Sequence, residues 1–310
     1  MWRSHFNIHS FALDISEATL RLVQLKKGAS GIRLVSFGEI SLPEGVLVNG
    51  QIKDNDKVVS HLKELIHRVN GQYILTPYVR ACLPEPKSFI KLVDLTYPNS
   101  TQVESEISSL ISQHFPYNAD EVYWDWQYLD SKDKTKILLG VCPKTIIDNY
   151  QEVLEQAGLY PLSLEIEAEA IVRSSVPTNS TTLTALLTQA LRVKQETAET
   201  IKYQGLVANQ TPDAYRQILE SYFQPLIEHL HKAQKFQEKN FPSLPLPQGV
   251  ILSGGLSNMP GLVEYLQKNL PQAVVIANPL MKIARVVKDF SLNQANSYAT
   301  AIGLALHEYN

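Results

Sequence analysis

Asp14 stands in the middle of an otherwise apolar run, Phe11 to Leu25, and that placement limits what the chain can build there. An ionised carboxylate is costly to bury without a partner. Asp14 therefore sits on an exposed turn between two strands, or beside something that it holds. The next residues, Ser16, Glu17, Ala18 and Thr19, suit a tight turn whose N–H groups and hydroxyls converge on an anion. A carboxylate next to such a turn suits a hydrated Mg²⁺, which takes oxygen ligands and keeps most of its waters. The plain alternative is a hairpin turn with a solvated aspartate. Near the other end, Ser253, Gly254 and Gly255 follow the apolar strand Val250–Leu252 and precede a helical pattern. Two glycines let a backbone approach a ligand and a helix start offers free N–H groups, although a structural turn needs at most one glycine. The spacing is neither a dinucleotide-binding fingerprint nor a P-loop.

The rest of the chain offers little other chemistry. Its 310 residues, 44% hydrophobic and 19% charged, describe a folded globular protein of one large or two medium domains. A net charge of −3 supplies no basic face for nucleic acid. Cys82 and Cys142 each close an apolar run near a proline and read as buried free thiols. No stretch approaches the roughly 18 apolar residues of a membrane span, and Met1–Ser10 lacks a signal-peptide core, so a cytoplasmic protein is expected. There is no Gly-x-Ser-x-Gly, His-Glu-x-x-His or Cys-x-x-Cys pattern. Glu165, Glu167 and Glu169 alternate around a strand-to-helix junction and read most simply as a solvated turn, with the positioning of a water or metal as the alternative.

Periodicity gives an antiparallel meander from Phe11 to Ser41, then a helix capped by Asp54 with Val58, Leu62 and Leu65 on one face. Tyr78–Leu83 is a strand broken by Pro84 and Pro86. A compact block follows in the order β-α-β-β-α: Ser88–Leu95, a helix to His114, Val122–Leu129, Lys136–Val141, and Thr145–Gln156 ending at Gly158. Its limits suggest an insertion. Strand alternation puts Trp124, Trp126 and Tyr128 on one face and Tyr123, Asp125 and Gln127 on the other. Core packing explains the aromatic face most simply, with a peptide groove as the alternative. Tyr160–Ile166 is a strand leading into a short helix. Helical pattern dominates from Leu183 to about Leu230, and Tyr298–Glu308 is a terminal helix.

Several stretches together carry a resemblance: Asp14–Leu25, Leu42–Asp54, Leu83–Lys91, His114–Leu129, Gly254–Leu262, Ala277–Pro279 and Ser297–Leu306. In this order they resemble the PilM family of type IV pilus assembly and, more distantly, the division protein FtsA. The resemblance implies an α/β, actin-like (ribonuclease H-like) two-domain fold with an inserted β-α-β-β-α subdomain. The first domain would take residues 1–86, completed by 159–177 and 295–310, the insertion 87–158, and the second domain 178–294. It implies ATP and Mg²⁺ as ligands. Asp14, Ser16, Ala18 and Thr19 match the first phosphate loop, with Asp14 reaching Mg²⁺ through water. Gly254, Gly255 and Ser257 match the adenosine loop, and Glu199 and Lys202 stand where such proteins contact the ribose and base. The main task implied is capture of the N-terminal cytoplasmic tail of a PilN-like membrane protein, linking it to the pilus motor ATPases. The protein would then lie at the inner face of the cytoplasmic membrane, indirectly through its partner.

One interval departs from that pattern. After the short helix at Glu167–Arg173 the family continues into a strand and hairpin carrying a second phosphate loop; here Val176–Thr181 jumps across it, so the second domain reads as truncated. Losing several charge-assisted contacts at about 1.5–3 kcal/mol each weakens ATP binding by orders of magnitude. The expectation is a non-enzymatic adaptor with impaired or absent ATP binding. A nucleotide-switched ATPase and an FtsA-like filament scaffold are the competing readings.

Overall fold

A computed structural model of the chain describes residues 9–96, 103–128, 134–173, 213–240 and 249–309. Two compact units result: residues 1–170 with 285–287 and 304–310, and residues 171–284 with 288–303.

In the first unit β1 (Phe11–Ile15), β2 (Thr19–Gly28) and β3 (Gly31–Ser41) form the expected antiparallel meander. The short pair β4 (Leu47–Val48) and β5 (Gln51–Ile52) leads into α1 (Asn55–His67). The Asp54 carboxylate accepts the Lys57 N–H at 3.1 Å and starts this helix, whose Val58, Leu62 and Leu65 are buried. Next come β6 (Asn70–Gly71), paired with β3, and β7 (Tyr78–Leu83), which lies parallel to β1.

The chain then leaves the sheet to build β8 (Phe89–Asp94), α2 (Val103–His114), β9 (Val122–Tyr128), β10 (Lys136–Pro143) and α3 (Lys144–Gln156). Strands β8, β10 and β9 make a separate three-stranded antiparallel sheet. Its α2-facing side holds Val93, Ile137, Leu139 and Val141 against Ile107 and Ile111, with Trp124, Trp126 and Tyr128 packed on that cluster. The aromatic alternation thus resolves as core packing. Helix α3 ends in two bonds, Gly158 N to Glu155 O (2.9 Å) and Leu159 N to Leu154 O (2.9 Å), with Gly158 at φ +80°.

Strand β11 (Tyr160–Ile166) returns to the main sheet parallel to β7, and α4 (Glu167–Val172) follows. The sheet order is β11-β7-β1-β2-β3, with β6 also paired to β3 and a seventh strand, Ile283–Arg285, beyond β3. Helices α1 and α3 share one core with Leu13, Leu22, Val79 and Ala81, where each fully buried Leu or Val contributes roughly 1.5–3 kcal/mol.

The second unit contains α5 (Asp213–Asn240), β12 (Gly249–Leu252), α6 (Leu262–Asn269) and β13 (Ala273–Ile276), with β12 and β13 parallel. Phe223 and Ile227 of α5 pack with Val250, Leu252, Leu262, Leu266 and Val274. The chain continues through β14 (Ile283–Arg285) and α7 (Leu292–Ser297) into α8 (Ala299–Leu306), where Leu304 re-enters the first unit. The sequence pattern predicts one terminal helix over Tyr298–Glu308. The structure adds β14 and α7 before it, the latter begun by a capping box of Ser291 and Gln294.

Candidate functional site

Strands β1, β7 and β11 run parallel, so their C-terminal ends share one edge of the sheet, the side on which α/β sheets place their ligands. Asp14 lies near the end of β1, Cys82 near the end of β7, and Glu167 directly after β11. Asp14 is only 4% exposed, which removes the solvated-turn alternative. Its carboxylate accepts the Cys82 thiol at 3.4 Å and has the Arg21 guanidinium at 3.9 Å, from the residue opposite it on β2. Arg21 also holds Glu39 at 2.6 Å. Burial raises the Asp14 pKa; Arg21 and the Cys82 bond oppose this and Glu39 adds to it.

Glu167 is half-buried. Burial, then the charges of Asp14 and Glu85, push its pKa up to about 8. The reading of Glu165, Glu167 and Glu169 as a solvated turn is therefore corrected. Glu165 is buried, accepts the Ser163 hydroxyl at 3.0 Å and faces His307 Nδ1 at 3.1 Å. Parallel pairing draws these acids inward: β11 lies against β7, which lies against β1, and none of this is local in sequence. Arg21 and Cys82 carry no sequence signal for a place in this site, whereas Glu167 is one of the acids with a water- or metal-positioning alternative. The Glu-x-Glu-x-Glu alternation was the available signal.

The turn after Asp14 is closed by Ser16 N donating to Thr19 O (3.0 Å). The Ser16 hydroxyl donates to the same carbonyl at 2.8 Å and meets the Thr19 hydroxyl at 2.9 Å. Ala18 O accepts Leu42 N at 2.8 Å, which ties the turn to the end of β3. Among the described residues the N–H groups of Glu17 and Ala18 at the exposed tip make no hydrogen bond. Two free amides beside a buried acid fit a phosphate-bearing ligand and its hydrated cation. Among the described residues no cluster of three His, Cys, Asp or Glu side chains is placed to chelate a metal directly.

Gly254 and Gly255 belong to the other unit. Gly254 has φ +85° and ψ 169°, a conformation open almost to glycine alone, and a Cβ there would meet nothing within 4 Å. Gly255–Asn258 form a single 3₁₀ turn, and the α-helix begins only at Leu262, after Gly261. The sequence pattern predicts the helix over Gly261–Leu270, and the structure places it there, with the 3₁₀ turn between it and the glycines. Ser257 is buried, and its hydroxyl donates to Gly254 O at 2.8 Å, so it shapes the turn from inside. Asn296 of α7 donates to Asn258 at 3.1 Å. Glu199 and Lys202 lie outside the described residues.

A further feature appears where the inserted sheet meets the main one. The side of β8-β10-β9 turned away from α2 carries Ile90, Leu92 and Leu138, all half-buried, with Leu92 and Leu138 directly paired. These three belong neither to the α2 core nor to the main core. Gly140, next along, approaches Ile166 so closely that a Cβ would stand 2.9 Å from its Cδ1.

These features define an α/β protein of the actin-like class, with a small sheet inserted between β7 and β11. The family profile for type IV pilus assembly protein PilM matches residues 12–185 and 178–309, and the chain belongs to that family. The two matched segments overlap at 178–185, beginning inside the Val176–Thr181 interval and running past it. Among solved structures the chain is similar to the PilM–PilN type IV pilus biogenesis complex, at TM-score 0.82 and 19% identity, over 98% of this chain and 99% of that one. It also aligns, at TM-score 0.37 and 10% identity, with the cytoplasmic domain of EpsL, an inner-membrane component of the type II secretion system of Vibrio cholerae, over 56% and 60% of the two chains. Among the described residues no helix is long and apolar enough to cross a membrane.

Proposed function

We propose that this chain is a non-enzymatic adaptor that holds the N-terminal cytoplasmic tail of a PilN-like membrane protein. The carrying observation is the apolar strip Ile90, Leu92 and Leu138, half-buried and outside both neighbouring cores. A short amphipathic tail laid along it would bury those side chains and gain the hydrophobic term without reorganising the fold. The similar solved structure is a complex with PilN, which favours such a tail as the occupant. Through it the protein would be held at the inner face of the cytoplasmic membrane and would connect to the pilus motor ATPases. Calorimetry with a PilN N-terminal peptide tests this reading. Binding at micromolar concentration is expected, and no heat at high micromolar peptide would overturn it.

Nucleotide is the second reading, favoured by the buried Asp14 beside Glu167. In it Asp14, Ser16, Ala18 and Thr19 face the phosphates, Gly254, Gly255 and Ser257 the adenosine, and Glu199 and Lys202 the ribose and base. ATP and Mg²⁺ would bind weakly, because the second phosphate loop is missing from the sequence. A thermal shift with excess Mg-ATP that Asp14→Ala abolishes would establish residual binding.

A further inference from the structure

We propose that the end of the main sheet opposite Asp14 is a lipid-docking surface that seats the first unit on an anionic bilayer. At that end begin β1, β7 and β11, and β2 turns into β3. Leu75 and Tyr73, on the loop entering β7, are 90% and 79% exposed. Tyr160, at the start of β11, is 59% exposed, and its ring centroid lies 6.3 Å from that of Tyr78.

The loop is held in place rather than left slack. Gln72 N donates to Val35 O at 2.9 Å, and the Ser36 hydroxyl donates to Gln72 O at 2.6 Å. The Thr76 hydroxyl donates to His9 O at 2.7 Å and accepts Tyr78 N at 3.2 Å, while Tyr160 N donates to Pro77 O at 2.8 Å. Ile74 packs on the main core between the two outward residues. Fixed at both ends, the loop presents an aliphatic and an aromatic side chain to solvent at the full cost of their hydration.

Charge selects the occupant. Lys26 Nζ donates to Gln72 Oε1 at 2.8 Å, which brings a cation onto the loop itself. Lys27 and Arg33 are exposed on the same hairpin tip. Among the described residues none of these three is ion-paired. Three acids reach this end: Glu308, to which the Ser10 hydroxyl donates at 3.2 Å, and the exposed Glu152 and Glu155 near the end of α3, just before β11, so the basic cluster is confined to the side of the surface formed by the β2–β3 hairpin and the Gln72 loop. Glu17, Glu39 and Glu44 lie at the opposite end, on the β1–β2 turn and around the end of β3. Tyrosine rings with a leucine, flanked by lysines, match the headgroup region of a bilayer, where amphipathic rings sit at the interface and cations meet anionic lipid. Neither signal suffices alone; together they give reversible attachment.

The test is cosedimentation of the full chain with phosphatidylcholine vesicles, with and without phosphatidylglycerol. Phosphatidylglycerol vesicles should bind it, at least tenfold more tightly than phosphatidylcholine alone, with affinity falling as salt rises. The double variant Tyr73→Ser, Leu75→Ser should weaken binding roughly tenfold at unchanged melting temperature, and Lys26→Gln and Lys27→Gln about fivefold each. Leu75→Trp should show a fluorescence blue shift with phosphatidylglycerol vesicles only. No sedimentation, or sedimentation unaffected by the serine pair, overturns the proposal. So does loss of self-association in the serine pair without any effect on vesicles, which would assign the surface to a second copy. The vesicles carry no protein, so the outcome is independent of the tail titration.

Discussion

Cys82 on β7 donates its thiol to the Asp14 carboxylate on β1 across 3.4 Å, so a buried acid is met by a weak neutral donor at the edge where ligands are expected. The Arg21 guanidinium at 3.9 Å offsets part of the cost of burying that charge, but burial still raises the Asp14 pKa, and Glu167 is raised in the same way.

Glu167 titrates near 4.5 in an unfolded chain and at about 8 in the fold. Between those values the folded state keeps a proton that the unfolded state has released. The neutral group costs nothing below pH 4.5, and stability then declines as pH rises to about 8. The limiting slope is about 1.4 kcal/mol per pH unit. Glu167→Gln should therefore stabilise the protein by about 1–3 kcal/mol at pH 7.5 and flatten the pH dependence. Urea melts from pH 5 to pH 8 measure it; an unchanged slope would assign the titration elsewhere.

The two adjacent glycines should behave differently. Gly254 sits at φ +85° with open space around its missing Cβ, so Gly254→Ala suffers backbone strain alone, about 1–3 kcal/mol. Gly255 has no such dihedral, and its Cβ would meet Ser297 Oγ at 3.3 Å, a side chain that can turn aside. Gly255→Ala should cost well under 1 kcal/mol. Chemical denaturation of the two variants compares them directly, and equal losses would refute the conformational account.

Tyr150 of α3 is fully buried, and its hydroxyl donates to Gly50 O at 3.2 Å, joining the helix to the turn between β4 and β5. Burial first, then nearby charges, holds its phenol neutral well above the usual range. Tyr150→Phe keeps the ring and removes the donor, leaving a carbonyl short of a partner, and should cost about 1–2 kcal/mol. A loss below 0.5 kcal/mol in urea melts would show that water takes the hydroxyl's place.

Local signals carried most of the fold. The meander, Asp54 as a helix cap, the β-α-β-β-α order and the inward Trp124–Trp126–Tyr128 face all follow from periodicity and turn residues within a few positions. Helix α7 was missed because six residues give too short a period, although its capping box was present. The candidate site was less legible. Asp14 and the glycine turn carry sequence signals, but Glu167, Cys82 and Arg21 join Asp14 only through β-pairing between distant segments. An alternating acid triplet looks solvated until a parallel neighbour buries it.

Leu138 and Leu139 are adjacent on β10 and face opposite ways, which separates the proposed tail-binding role from folding. Leu139 is fully buried in the α2 core, whereas Leu138 is half-buried in the strip outside that core, opposite Leu92. Leu139→Asp puts a carboxylate into that core and should cost more than about 4 kcal/mol, enough to unfold the inserted sheet. Leu138→Asp leaves its carboxylate able to reach water and should lower the melting temperature only slightly. It should nevertheless weaken the PilN-type peptide at least tenfold, since the peptide's apolar side chains would then meet a charge. Calorimetry on the Leu138 variant, with circular dichroism to confirm its fold, decides the matter. Full peptide affinity in a folded Leu138→Asp protein would move the tail away from this face.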